Sequence, residues 1–111
     1  MPATDDLARR LEFMRIDPAA RRHLLAARTD IEAALPSALD AFYGQIRAFP
    51  ETKAFFSSES RIDGAKARQS SHWDRIAKAE FDQAYVEAVT VVGKVHARIG
   101  LAPRWYIGGY A

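Results

Sequence analysis

The 111-residue chain contains no cysteine. This excludes a disulfide scaffold, a zinc–thiolate module, a cysteine-held iron–sulfur cluster and a thiol nucleophile. Charge of one sign is also in short supply: sixteen Lys and Arg against fourteen Asp and Glu leave a net +2. The signs alternate and no run of five or six like charges occurs, so the clustered cations that bind nucleic acid by counterion release are missing. No apolar stretch approaches the ~20 residues of a membrane helix. The segment 1–10 carries Asp5 and Asp6 and lacks the apolar centre of a secretory leader. The expectation is a cytoplasmic domain with neither nucleic acid nor membrane insertion among its partners. No glycine-rich phosphate loop, serine elbow or helical histidine pair at metal spacing is present. The acids are scattered over polar faces, so no catalytic constellation and no enzyme activity are expected.

What is present reads as helix throughout. Val and Ile are sparse before residue 86, Ala is abundant, and no Asn-Gly or Asp-Gly hairpin turn occurs. Area scaling for 12.4 kDa gives a folded surface of about 6,100 Å² and burial of roughly two-thirds of the unfolded chain's surface. A first helix is expected over Thr4–Met14, with Leu7, Leu11 and Met14 on one face. Asp17-Pro18 has the form of an N-cap followed by proline at the first helical position, opening a helix to about Arg28. Thr29 and Glu32 then stand at capping-box spacing, and Pro36 would cost an unbroken helix a hydrogen bond. The pattern therefore predicts a restart or kink there, leading into a helix that ends near Phe49-Pro50. Leu35, Leu39, Phe42, Tyr43, Ile46 and Phe49 form its buried stripe.

A short turn of helix over Glu51–Phe56 and a loop at Ser57–Ser60 follow. The helix Arg61–Ala77 is poor in large apolar residues, with Ala65, Ala67, Gln69, His72, Trp73 and Ile76 inward or flanking. Next comes Phe81–Arg98, with Phe81, Ala84, Tyr85, Ala88, Val89, Val92, Val95, His96 and Ile99 on its apolar side. Gly100 ends it and Pro103 opens a last segment, whose Trp105, Tyr106, Ile107 and Tyr110 need something to pack on. A domain cut short is the expectation.

Two residues stand out chemically. His96 lies four positions after Val92 and three before Ile99, hence on an apolar stripe. A core histidine satisfied by a hydrogen bond is the plainer reading, and an axial ligand to haem iron is the functional one, since neutral imidazole in an apolar pocket suits that role. Tyr43 shares its stripe with Leu39, Phe42 and Ile46, so a buried phenol must find a partner. That partner is either a backbone carbonyl or a gas bound to haem iron. Ala65 and Ala67 leave space for a ligand that Gln69 could reach, or simply allow close helix packing. Trp73 reads as core.

The block Gly93–Tyr110 carries His96-Ala97-Arg98-Ile99-Gly100-Leu101, then Pro103, Trp105-Tyr106 and Gly108. It resembles the signature of the globin-coupled sensors, the protoglobin-related sensor globins of bacteria. Asp40-Ala41-Phe42-Tyr43 is similar to that family's second globin helix, Phe49-Pro50-Glu51 to the corner after it, and Phe81-Asp82-Gln83-Ala84-Tyr85-Val86 to the lead into the proximal helix. The likeness runs from about Leu11 onward. It implies an all-α, globin-like fold in a single domain: a pre-globin helix within 1–15, then a globin core over 16–111 that lacks most of the last two helices.

The resemblance also implies haem b, with His96 as proximal iron ligand and Tyr43 as distal donor to bound oxygen. Tyr106 would lie behind the proximal histidine, and Phe42, Ala65, Gln69 and Val92 would line the cofactor. Lys94, Arg98 and Arg75 stay open as partners of the propionates, and Arg68 falls where some relatives carry a small polar residue. Reversible binding of a diatomic gas, oxygen foremost, is implied, with a homodimer and an output domain that this chain does not carry. A haem-free globin-like dimerisation or protein-interaction module is the alternative. Retention of His96 and Tyr43, neither needed for packing, argues against it. A dioxygenase of nitric oxide would need a reductase partner and ranks last.

Overall fold

The computed structural model describes residues 3–109, all of whose regular structure is helical. In chain order the helices are α1 (Ala3–Phe13), α2 (Pro18–Ala48), α3 (Pro50–Lys53), α4 (Glu59–Ala77), α5 (Gln83–Ile99) and α6 (Pro103–Gly108). The all-α expectation holds, and no helix among the described residues is long and apolar enough to cross a membrane. Tyr110 lies outside the described residues.

Helix starts follow the chemistry read from the chain. Asp17 caps α2 by accepting from the Ala20 amide at 2.8 Å, ahead of Pro18 at the first helical position. Asp82 caps α5 the same way through the Tyr85 amide at 2.9 Å. Gly100 ends α5 in the left-handed conformation at φ 72°, where a side chain would be strained.

The expected break in the middle of α2 does not occur. One 31-residue helix runs from Pro18 to Ala48 with Pro36 inside it, and Thr29 is an interior residue, not a cap. Arg28, one position earlier, pairs with Glu32 at 2.8 Å on the exposed face, so the glutamate is engaged by a helix neighbour one turn away. Burial of Leu39 and Tyr43 beyond the proline outweighs the one backbone hydrogen bond that Pro36 forfeits.

The core lies where α2 crosses α4. Leu39 and Tyr43 from α2, with Ile62 and Ala77 from α4 and Ala79 just after it, are the buried apolar residues. Thr52, in α3, is buried too. Its hydroxyl donates to the Ile46 carbonyl at 2.7 Å, with the Phe49 carbonyl 3.1 Å away, which locks the α2–α3 corner. Across the crossing, Arg47 pairs with Glu59 at 2.9 Å and Lys66 with Asp40. These exposed pairs set register more than stability. Helix α1 packs on α5, and α5 on α4.

Burial falls short of the expectation. The accessible surface is 8,020 Å², against the roughly 6,100 Å² of a compact domain this size. The radius of gyration is 15.5 Å, against about 13 Å. The later helices contribute to the excess, since α5 buries no residue fully and Val89, Val91, Val92, Ile99 and Ile107 are exposed, and so do the exposed Phe13 and Leu25 earlier in the chain. Three further expectations need correction. Met14 turns out of the α1 face at 64% exposure, because α1 ends at Phe13 and the chain turns there. Phe49 is exposed at the end of α2, outside the stripe. Trp73 is half-exposed beside a cleft instead of in the core.

Proline inside a continuous helix costs about 3 kcal/mol relative to alanine, partly offset by its restriction of the unfolded chain. Pro36→Ala is therefore expected to raise unfolding free energy by about 2 kcal/mol, read from the urea midpoint. An unchanged or lower midpoint would contradict it.

Candidate functional site

Tyr43 carries a buried hydroxyl into the core. Its stripe on α2 turns it into the α2–α4 crossing, where it is 5% exposed. The hydroxyl donates to Gln69 Oε1 on α4 at 2.8 Å. Among the described residues, Phe42 at 5.0 Å between centroids and Phe56 at 6.4 Å meet it edge-on. A phenol tied in this way keeps one orientation, with its single O–H given to Gln69. Gln69 is thus Tyr43's partner, where the sequence suggested a backbone carbonyl or a haem-bound gas. Phe56, in the connection between α3 and α4, was not singled out by periodicity because it belongs to no helical stripe.

His96 stands near the end of α5, half-buried, with its ring stacked on Tyr106 of α6 at 5.3 Å and 20° between planes. The Leu101 amide donates to the His96 carbonyl at 3.0 Å, closing the end of the helix. Helical spacing puts Val89, Val92 and Ile99 on the imidazole's side; all three are exposed, Val92 at 49%. The structure therefore shows an imidazole rising from an open apolar wall, with an aromatic plate at its back. Haem requires those two features together, a nitrogen donor for iron and a face of low polarity for the macrocycle, so the residues present fit that group. The described residues hold no cluster of three or more metal-ligating side chains.

The other expected residues divide. Phe42 is half-buried beside Tyr43. Ala65 is half-exposed on α4. Ala67 is exposed and lines a cleft of about 310 Å³ together with Pro36, Leu39, Asp63 and Lys66. A larger cleft of about 580 Å³ opens between Leu35 and Pro36 on α2 and Trp73 and Ala77 on α4. Neither cleft includes Tyr43, His96 or Ala65. Of the open propionate partners, Lys94 and Arg98 are exposed on α5 and Arg75 is half-buried on α4.

The match to a family model described as Protoglobin covers residues 3–111. Among characterised proteins, the chain is 26% identical over 106 residues to a heme-based aerotactic transducer, HemAT, of Halobacterium salinarum. That alignment takes in 95% of this chain and 22% of the transducer, so the chain spans only about a fifth of its relative's length. No solved structure matches the chain.

A second histidine secures the approach of α5 to α4. His72 stacks on Tyr85 at 5.5 Å, and Phe81 meets Tyr85 edge-on at 5.3 Å with the Arg21 guanidinium over its other side. Burial, and then the charge of Arg75, hold the His72 imidazole below its ordinary pKa of 6.5. A histidine kept neutral by the fold binds fewer protons folded than unfolded. Its contribution to stability is whole above pH 6.5 and is lost as pH falls through that value toward the folded pKa. NMR titration is expected to place His72 below 6.5. His72→Gln should flatten the part of the stability–pH curve that falls below neutrality, and an unchanged curve would remove His72 as its cause.

Proposed function

The chain belongs to the protoglobin family, and on that basis we propose that it is a haem-binding sensor domain that reversibly binds a diatomic gas, oxygen foremost. The observation that carries this reading is the His96 ring, backed by Tyr106 and set among Val89, Val92 and Ile99. His96 would hold haem b through one imidazole nitrogen. Tyr106 restrains the ring plane, and the valines and Ile99 keep water from the macrocycle. When bound, the haem would supply a ferrous iron to which the gas attaches. Tyr43 would contribute the distal O–H by turning it from Gln69 Oε1, to which it donates in the ligand-free chain, toward the gas, while Phe42 and Phe56 hold its ring. A diatomic ligand that draws negative charge onto itself is stabilised by such a donor, by about 1 kcal/mol or more.

The domain binds and relays; it performs no chemistry of its own. Any shift of His96 on ligand binding moves α5, against which α1 packs, and the ligand biases the arrangement by its differential affinity. A signalling protein or output domain is the recipient, in keeping with the aerotactic transducer that the chain is similar to. A haem-free interaction module is the second reading. It draws on the same exposed stripe of α5, which would then cover a protein partner instead of a macrocycle.

Two substitutions test the assignment. His96→Ala is expected to abolish stable haem incorporation, measured as haem per chain after purification. Undiminished content would refute the ligand. Tyr43→Phe should retain haem and release oxygen about fivefold faster or more in stopped flow, and an unchanged rate would take Tyr43 out of the distal role.

A further inference from the structure

Tyr43 and His96 sit on different helices and are held by different side chains. Tyr43 is fixed from α2 by Gln69, Phe42 and Phe56, and His96 from α5 by Tyr106. One short element reaches both sets. Helix α6 carries Tyr106, stacked on His96, and three residues later the chain reaches Gly109, against which the edge of the Phe42 ring is pressed. A Cβ built on Gly109 would stand 2.7 Å from Phe42 Cε2 and 3.3 Å from Cζ. Carbon atoms do not approach that closely, so only glycine leaves room for the ring. Backbone freedom is not the reason, because Gly109 has φ −59° and ψ −24°, open to any residue. The Gly109 amide also donates to the Trp105 carbonyl at 3.0 Å, so the backbone beneath the ring is anchored to α6 itself.

We propose that α6 couples the two sides of the site. Gly109 and Phe42 act as positioning residues, so that the seat of Phe42 on Gly109 sets Tyr43 while Tyr106 in the same helical turn sets His96. The proposal rests on the haem-sensor reading for its functional consequence, but the coupling itself is a property of the chain. Gly109 caps α6 and its amide is bonded to the Trp105 carbonyl, which ties it to the turn that carries Tyr106. A displacement of the His96 ring that tilts Tyr106 therefore carries Gly109 with it, and Phe42 transmits it to the phenol through their edge-on contact. In the reverse direction, a methyl group at position 109 must push Phe42 and α6 apart, moving Phe42 against Tyr43 and Tyr106 against His96.

The test is a double-mutant cycle with Gly109→Ala and Phe42→Leu in the full 111-residue chain. Leucine is shorter than phenylalanine and leaves space for the methyl. In the haem-free protein, NMR of the aromatic side chains is expected to show that Gly109→Ala shifts the ring signals of both Tyr43 and His96. In the Phe42→Leu background the same substitution should shift neither. In the haem-loaded protein, Gly109→Ala should speed oxygen release about fivefold at unchanged haem content, and the effect should vanish in the Phe42→Leu background. Signals of Tyr43 that stay in place, or an effect of Gly109→Ala that is equal in both backgrounds, would overturn the coupling. If Gly109→Ala alone fails to fold, the double variant decides: a folded double variant supports the steric seat and an unfolded one overturns it. A chain that takes up no haem defeats the sensor reading and leaves the haem-free signals to settle the coupling.

Discussion

Leu39 and Tyr43 on α2 meet Ile62 and Ala77 on α4, and what else is ordered in the molecule is ordered relative to this crossing. Among the described residues it contains most of the buried apolar side chains, and it includes a part-buried side-chain hydrogen bond between the two helices, Tyr43 to Gln69. Burying a phenol is unfavourable unless its hydroxyl is satisfied. The glutamine therefore does more than add a bond, because it makes the tyrosine tolerable in the core and fixes where its proton lies. Arg47–Glu59 and Lys66–Asp40 flank the crossing at the surface and define which turn of α2 faces which turn of α4.

The second half of the chain follows a different logic. Helix α5 is capped well at both ends, by Asp82 and by Gly100, yet no residue of it is fully buried. Its order comes from specific ring contacts, His72 with Tyr85 at its start and His96 with Tyr106 at its end, not from enclosure. An apolar stripe that is well formed but uncovered is an unfavourable surface in water. It gains free energy from any flat apolar body laid on it. With an imidazole at its centre, the stripe suits a porphyrin better than a general protein contact, and for that reason the haem reading ranks ahead of the interaction module.

Much of this was legible in the chain. Asp17-Pro18, Asp82 and Gly100 are local signals whose effect depends on a few backbone atoms, and each marks the boundary it suggests. The spacing of Leu39, Phe42 and Tyr43 placed the phenol in the core, and the His96–Tyr106 block carried the family resemblance that the Protoglobin match bears out. Local signals misled where distant packing overrode them. Thr29 and Glu32 have cap spacing, and Pro36 is a helix breaker, but burial of the residues beyond them keeps α2 continuous. The inner face of α4 was misjudged because its alanines gave no contrast in size, and the buried Ile62 was passed over. The seat of Phe42 on Gly109 joins residues 67 positions apart, and no periodicity reports such a contact.

The central claim is that this chain holds haem through His96. It is tested most directly by the absorption spectrum of the 111-residue chain, produced with haem available, then reduced and exposed to carbon monoxide. The account predicts a sharp Soret band that shifts on reduction and shifts again with the gas, as an open coordination position opposite His96 requires. A folded, helical protein that is colourless under the same conditions would contradict it.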